Sequence, residues 1–166
     1  MRKAYCILIL CFFIKGAFAQ NVATINGKPI SNKEFLWFYK KNHKGNSTTS
    51  VKDLEDYLNQ YINFKLKVLD ARGMGLDTDT AYLAEMKNYE SALDAQKRTS
   101  KTSQAHKMMM NEYRDAALMF NVSEIKVWNK PIDDQERIEK DWIDTLRKKY
   151  SVKINQNEIR KLAKLD

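Results

Sequence analysis

Apolar side chains recur along this chain mostly at the spacing of α-helices, with short alternating stretches near the two ends. Val22-Ala23-Thr24-Ile25 and Lys28-Pro29-Ile30 flank Asn26-Gly27, a dipeptide suited to the two positive φ values of a type I′ turn, so a β-hairpin is predicted there. Ser31 with Glu34 three residues later reads as a capping box that opens a helix over about Asn32–Asn42, closed by the polar loop from His43 to Thr49. Ser50 with Asp53 repeats the signal, and the helix after it runs to Arg72, where Gly73 and Gly75 stop it. Leu54, Leu58, Ile62, Leu66 and Leu69 form one stripe of this helix; Tyr57, Tyr61, Phe64 and Val68 form an adjoining one. With more than half of its circumference apolar, it needs neighbours on two sides, or one side stays available for a ligand.

Tyr82, Met86, Tyr89 and Leu93 predict a third helix from about Thr78 to Gln96. Lys97 to Gln104 contains no strongly apolar residue and reads as a solvated linker. Met108, Met109, Tyr113, Ala116, Ala117 and Phe120 then resume helical spacing. Val122 to Trp128 reads as a short separate turn or helix capped by Ser123 and ended before Pro131. Asp133 to Tyr150 is amphipathic, with Ile138, Trp142, Ile143 and Leu146 inward and Glu136–Lys140 and Asp144–Lys148 as exposed pairs. Val152-Lys153-Ile154 reads as a strand whose partner is the N-terminal hairpin, and a helix over Asn157–Lys164 completes the pattern. The fold class expected is therefore mainly α, with a small antiparallel sheet joining the chain's two ends.

The first residues change the picture. Arg2 and Lys3, the apolar run Ala4–Ile14 and Ala17-Phe18-Ala19 have the three parts of a cleaved secretory signal peptide over residues 1–19. Its eleven apolar residues are too few to span a bilayer, which takes about 20. Both cysteines, Cys6 and Cys11, lie in that segment, so the mature chain is expected to hold no disulfide and no thiolate site. Losing Arg2, Lys3 and Lys15 takes the basic residues from 29 to 26 against 21 acids, and the formal charge from +8 to +5. Bases interspersed with acids in an exported protein speak against nucleic acid. Peripheral contact with an anionic membrane, or acidic clients, remains open.

Candidate chemistry is that of binding. Trp37, Phe38 and Tyr39 are consecutive on a helix and point in different directions, so at least one faces solvent or a groove. Met108, Met109 and Met110 spread in the same way, and methionine serves both as core filler and as an adaptable contact surface. Tyr57 and Tyr61 join the candidate peptide-binding set, although their stripe also suits a core. His43 and His106, the only histidines, stand far apart in polar loops, and no metal site, cofactor or catalytic group is expected.

Three stretches resemble a known family. They are VATINGKPISNKEFLWFYKKN, LEDYLNQYINFKLKVLDARGMGLDTDTAYLAEMKNYESAL, and NEYRDAALMFNVSEIKVWNK with DWIDTLRKKYSVKIN. Together they look like the SurA-type exported peptidyl-prolyl isomerases and chaperones, particularly the Bacteroidetes kind. In those relatives, parvulin isomerase domains sit between the second and third stretches; here residues 97–107 stand in their place. The resemblance implies a single chaperone domain over residues 20–166, with an N-terminal part (20–96) completed by a C-terminal part (108–166). It also implies a non-enzymatic periplasmic holdase for unfolded outer-membrane or secreted polypeptides. The alternative is a scaffold or accessory subunit that holds one folded partner or a second copy of itself as a homodimer.

Overall fold

A computed structural model describes residues 20–43, 50–96, 100 and 103–164. The proposed signal peptide, most of the His43–Thr49 loop and much of the 97–107 linker lie outside the described residues.

Strands β1 (Asn21–Ile25) and β2 (Lys28–Ser31) form the expected hairpin, with Asn26 at φ 49° and Gly27 at φ 76° in its turn. Strand β3 (Val152–Ile154) pairs antiparallel with the other edge of β1, giving the order β2-β1-β3 with Ala23 opposite both Ile30 and Ile154. Asn26 reinforces that closure: its N–H donates to the Ser151 carbonyl and its side-chain oxygen accepts from the Ser151 N–H, each at 2.8 Å.

Among the described residues there are six α-helices, of which the first and the last pack on the sheet. Helix α1 (Asn32–Asn42) starts on Ser31, whose hydroxyl accepts from the Glu34 N–H. Only that half of the capping box is formed, because the Glu34 carboxylate is drawn to α2 (Val51–Gly73). Helix α2 has the complete Ser50/Asp53 box. A 3₁₀ turn (Leu76–Thr78) leads to α3 (Thr80–Ala95), capped by Asp79. Helix α4 (Gln104–Ser123) is capped by Ser103, so the last residues of the expected linker are already helical. Helices α5 (Ile132–Lys149) and α6 (Gln156–Leu162) complete the chain.

Ser123 does not cap a separate helix. It is buried within continuous helix, and Glu124–Trp128 forms a π-helical turn closed by Asn129 N–H to Glu124 carbonyl at 3.1 Å. Core burial explains the difference. Val122 and Val127 are five residues apart and both essentially unexposed. A π turn brings positions i and i+5 onto one side, whereas an α-helix would rotate Val127 away. On α5, Arg137 bridges Asp134 (2.8 Å) and Asp141 (3.8 Å), rather than the expected Glu136–Lys140 and Asp144–Lys148 pairing.

Helix α2 is the spine, with Leu54, Leu58, Tyr61, Ile62, Leu66, Val68 and Ala71 buried. Its polar residues divide between two neighbours at helical spacing. Lys65 and Arg72 reach Asp115 on α4, while Asn63, Lys67 and Asp70 meet Arg147, Glu139 and Trp142 on α5. At the far end of the core, Asn32 on α1 donates to Glu158 on α6 across 126 residues, at 3.0 Å.

Candidate functional site

Helices α1 and α4 lie side by side in the same direction. Lys33 bonds Gln104 and Lys41 bonds Glu112, so the bridges are eight residues apart on each helix, or ~12 Å along the axis. Helix α2 runs beneath them: Phe38 packs on Tyr61 with ring centroids 4.8 Å apart, and Asn42 donates to the Tyr57 hydroxyl at 2.7 Å. The seam between α1 and α4 stays open as three adjoining cavities.

The aromatic end, about 270 Å³, is lined by Phe38, Asn42, Tyr57, Gln60, Tyr61, Phe64, Glu112 and Ala116. A central cavity of about 390 Å³ shares Phe38, Tyr61 and Glu112 with it and adds Glu34, Lys65, Arg72, Met108, Arg114 and Asp115. The third, about 430 Å³, shares Lys33 and Met108 with the central one and is otherwise bounded by Leu36, Trp37, Lys40 and Lys41.

The residues singled out from sequence divide accordingly. Phe38, Tyr57 and Met108 line the groove half-buried, and half-buried Trp37 lines its third cavity. Tyr61 shows one edge to it but is 95% covered, at 5% exposure. Tyr39 is core: it stacks on His43 at 4.2 Å and meets Tyr57 edge-on at 5.3 Å. Met110 is buried, and Met109 is half-buried without lining any of the three cavities. Tyr39 and Met110 therefore leave the contact surface, because consecutive helix positions cannot all face one side. His106 also departs from expectation. It is not in a loop but in the first turn of α4, 4% exposed, with Nδ1 unpartnered.

The floor of the central cavity is a charged cluster that periodicity alone did not reveal. The Tyr61 hydroxyl donates to Glu34 at 2.7 Å. Lys65 Nζ sits 2.8 Å from Asp115 and 3.2 Å from Glu34, and Arg72 donates to Asp115 at 2.7 Å. Burial works against the Lys65 charge, but Asp115 and Glu34 more than offset it and hold the ammonium above its ordinary pKa. Burial, then the Glu34 charge, pushes the Tyr61 phenol well up, so it stays protonated as a donor. Each carboxylate here is already engaged: Glu34 by Tyr61 and Lys65, Asp115 by Lys65 and Arg72, and Glu112 by Lys41 at 2.5 Å. Among the described residues, Lys40 and Arg114 have no acid within ion-pair distance and leave positive charge at the rim. The i,i+4 and i,i+7 spacing of Tyr61, Lys65 and Arg72 hinted at one polar seam on α2, but their partners are remote in sequence.

A second apolar surface lies around the π turn. Phe120 (53% exposed), Ile125 (45%), Trp128 (41%) and Ile132 (77%) stand outside the core, with Phe120 and Trp128 edge to face at 4.9 Å. Phe120 follows helical spacing with core residues of α4, yet the structure leaves it exposed. The turn that brings Val127 inward leaves Ile125 and Trp128 outward.

Among the described residues, no group of three or more His, Cys, Asp or Glu could hold a metal ion, and no helix is long and apolar enough to cross a membrane. Compared with protein-family models, curated proteins and solved structures, the chain matches none.

Proposed function

We propose that this chain is a non-enzymatic periplasmic holdase, a single chaperone domain that shields extended segments of unfolded outer-membrane or secreted polypeptides in the α1–α4 groove. The observation that carries this reading is the groove itself. Phe38, Tyr57, Phe64 and Met108 line it half-buried over α2, with Asn42 bonded to the Tyr57 hydroxyl and the Tyr61 hydroxyl bonded to Glu34. Aromatic faces and a flexible thioether accept many apolar sequences without demanding one shape. The SurA-type resemblance of the three sequence stretches supports the same function, and their signal-like leader supports export.

Light scattering during refolding of a denatured outer-membrane protein tests the reading. A several-fold excess of the mature chain is expected to suppress aggregation, and a Phe38→Ser/Met108→Ser variant that retains its helical circular dichroism is expected to suppress it less. No suppression by the unaltered chain would overturn the proposal.

The exposed quartet Phe120, Ile125, Trp128 and Ile132 favours a second reading, a scaffold that docks one folded partner or its own copy. In that case Trp128→Ser would abolish a single stoichiometric complex in sedimentation while leaving aggregation suppression unchanged.

A further inference from the structure

The groove has a chemical polarity, and it narrows the kind of polypeptide that fits. The aromatic end holds four rings and no cation among its lining residues: Phe38, Tyr57, Tyr61 and Phe64. The other two cavities carry cations around apolar floors. Lys33, Lys40 and Lys41 surround Leu36, Trp37 and Met108, while Lys33, Lys65, Arg72 and Arg114 surround Phe38 and Met108.

Not all of these charges are available. Lys65 and Arg72 are neutralised by Asp115 and Glu34, and Lys41 by Glu112. Among the described residues, Lys33 bonds only the neutral Gln104 amide, and Lys40 and Arg114 have no acid partner. Three cations therefore remain over two cavities that share Lys33 and Met108. None of these three forms an ion pair with the carboxylates that line the cavities, Glu34, Glu112 and Asp115. An incoming cation would meet this excess charge at short range, whereas an incoming carboxylate would form charge-assisted hydrogen bonds beside apolar contact.

We infer that the groove's occupant is an extended segment with aromatic or aliphatic side chains at one end and Asp or Glu side chains at the other, the carboxylates taken by Lys33, Lys40 and Arg114. This rests on the holdase reading and adds a selection rule to it. Apolar contact supplies general affinity, and the cationic end sets preference and orientation.

Binding isotherms with three peptides test it. All are blocked at both termini, carry a neutral dye and share one aromatic half; the other half holds two Glu, two Gln or two Lys. At low ionic strength the Glu peptide is expected to bind about fivefold more tightly than the Gln peptide, and the Lys peptide more weakly than either. Raising salt from about 20 mM to about 300 mM should bring the Glu peptide down to the Gln value, since the cations lie at the rim. Lys40→Gln/Arg114→Gln removes two exposed side chains without acid partners, so folding is preserved. Because Lys33 is retained, this variant should lose most, but not all, of the preference for the Glu peptide over the Gln peptide, and an undiminished preference would overturn the assignment.

Equal affinity for the Glu and Gln peptides would overturn the charge rule while leaving the holdase intact. Tighter binding of the Lys peptide would reverse its sign. Failure to bind any of the three, together with failure to suppress aggregation, would remove the holdase reading and this inference with it.

Discussion

Asp115→Asn changes one atom type at the point where three helices meet. Asp115 on α4 receives Lys65 Nζ at 2.8 Å and Arg72 at 2.7 Å, and its side chain is only 10% exposed. The amide keeps the shape and can still accept one hydrogen bond, but it no longer neutralises either cation. Lys65, with 24% of its side chain exposed, is left with Glu34 at 3.2 Å as its sole counter-ion. Removing one member of a fully buried pair costs about 3–5 kcal/mol, because the remaining charge stays desolvated. Arg72 can swing toward water, and Glu34 retains part of the Lys65 interaction, so a loss of about 2 kcal/mol is expected. For a chain of this size that is a fall in Tm of about 4–8 °C. Urea unfolding followed by far-ultraviolet circular dichroism should show a lower midpoint with an unchanged slope, since the exposed surface is the same. Lys65→Met/Asp115→Leu replaces the pair by apolar groups and should lie within about 1 kcal/mol of the unaltered chain. A loss below about 0.5 kcal/mol in Asp115→Asn, or a double variant less stable than the single one, would refute this account of the cluster.

The charged cluster and the hairpin turn each set a further expected outcome. Lys65 and Tyr61 both hold their protons more tightly in the folded chain than at their ordinary pKa values of 10.5 and 10.0. Their contribution is therefore complete below about pH 10 and is lost as pH rises through the folded values, so Tm should be level near neutrality and fall above about pH 10. Tyr61→Phe should make that alkaline fall shallower, and a Tm that stays level well above pH 10 in the unaltered chain would contradict the assignment. Gly27→Ala and Gly73→Ala form a contrasting pair, because a methyl added at either position meets nothing within 4 Å. Gly27 sits at φ 76°, so alanine there should cost about 1 kcal/mol of backbone strain, whereas at Gly73, in the last turn of α2, it should be neutral or stabilising by about 0.5 kcal/mol. Equal midpoints for the two variants in urea would show that the hairpin turn is not strained by a side chain.

Local signals carried much of the architecture. Asn26-Gly27 dictates the hairpin because its positive φ values are a property of the dipeptide and its neighbours. Ser50 with Asp53 sets the start of α2 because both partners lie within one turn. The spacing of Leu54, Leu58, Ile62 and Leu66 marks a buried stripe for the same local reason. Even the β1–β3 pairing was legible, since a short strand at one end of the chain had only the hairpin to join.

What sequence left undecided depends on contacts between distant segments. Of Trp37, Phe38 and Tyr39, the order of residues says only that they diverge; the packing of α2 and α4 against α1 decides that Tyr39 is core and Phe38 lines the groove. The π turn after Ser123 arises because the core claims both Val122 and Val127, and no single turn of sequence records that claim. The cluster of Glu34, Lys65, Arg72 and Asp115 is assembled from three helices, with Lys65 and Asp115 fifty positions apart. Helical period is a short-range property of backbone geometry, whereas burial and charge pairing are settled only when remote faces meet and exclude water.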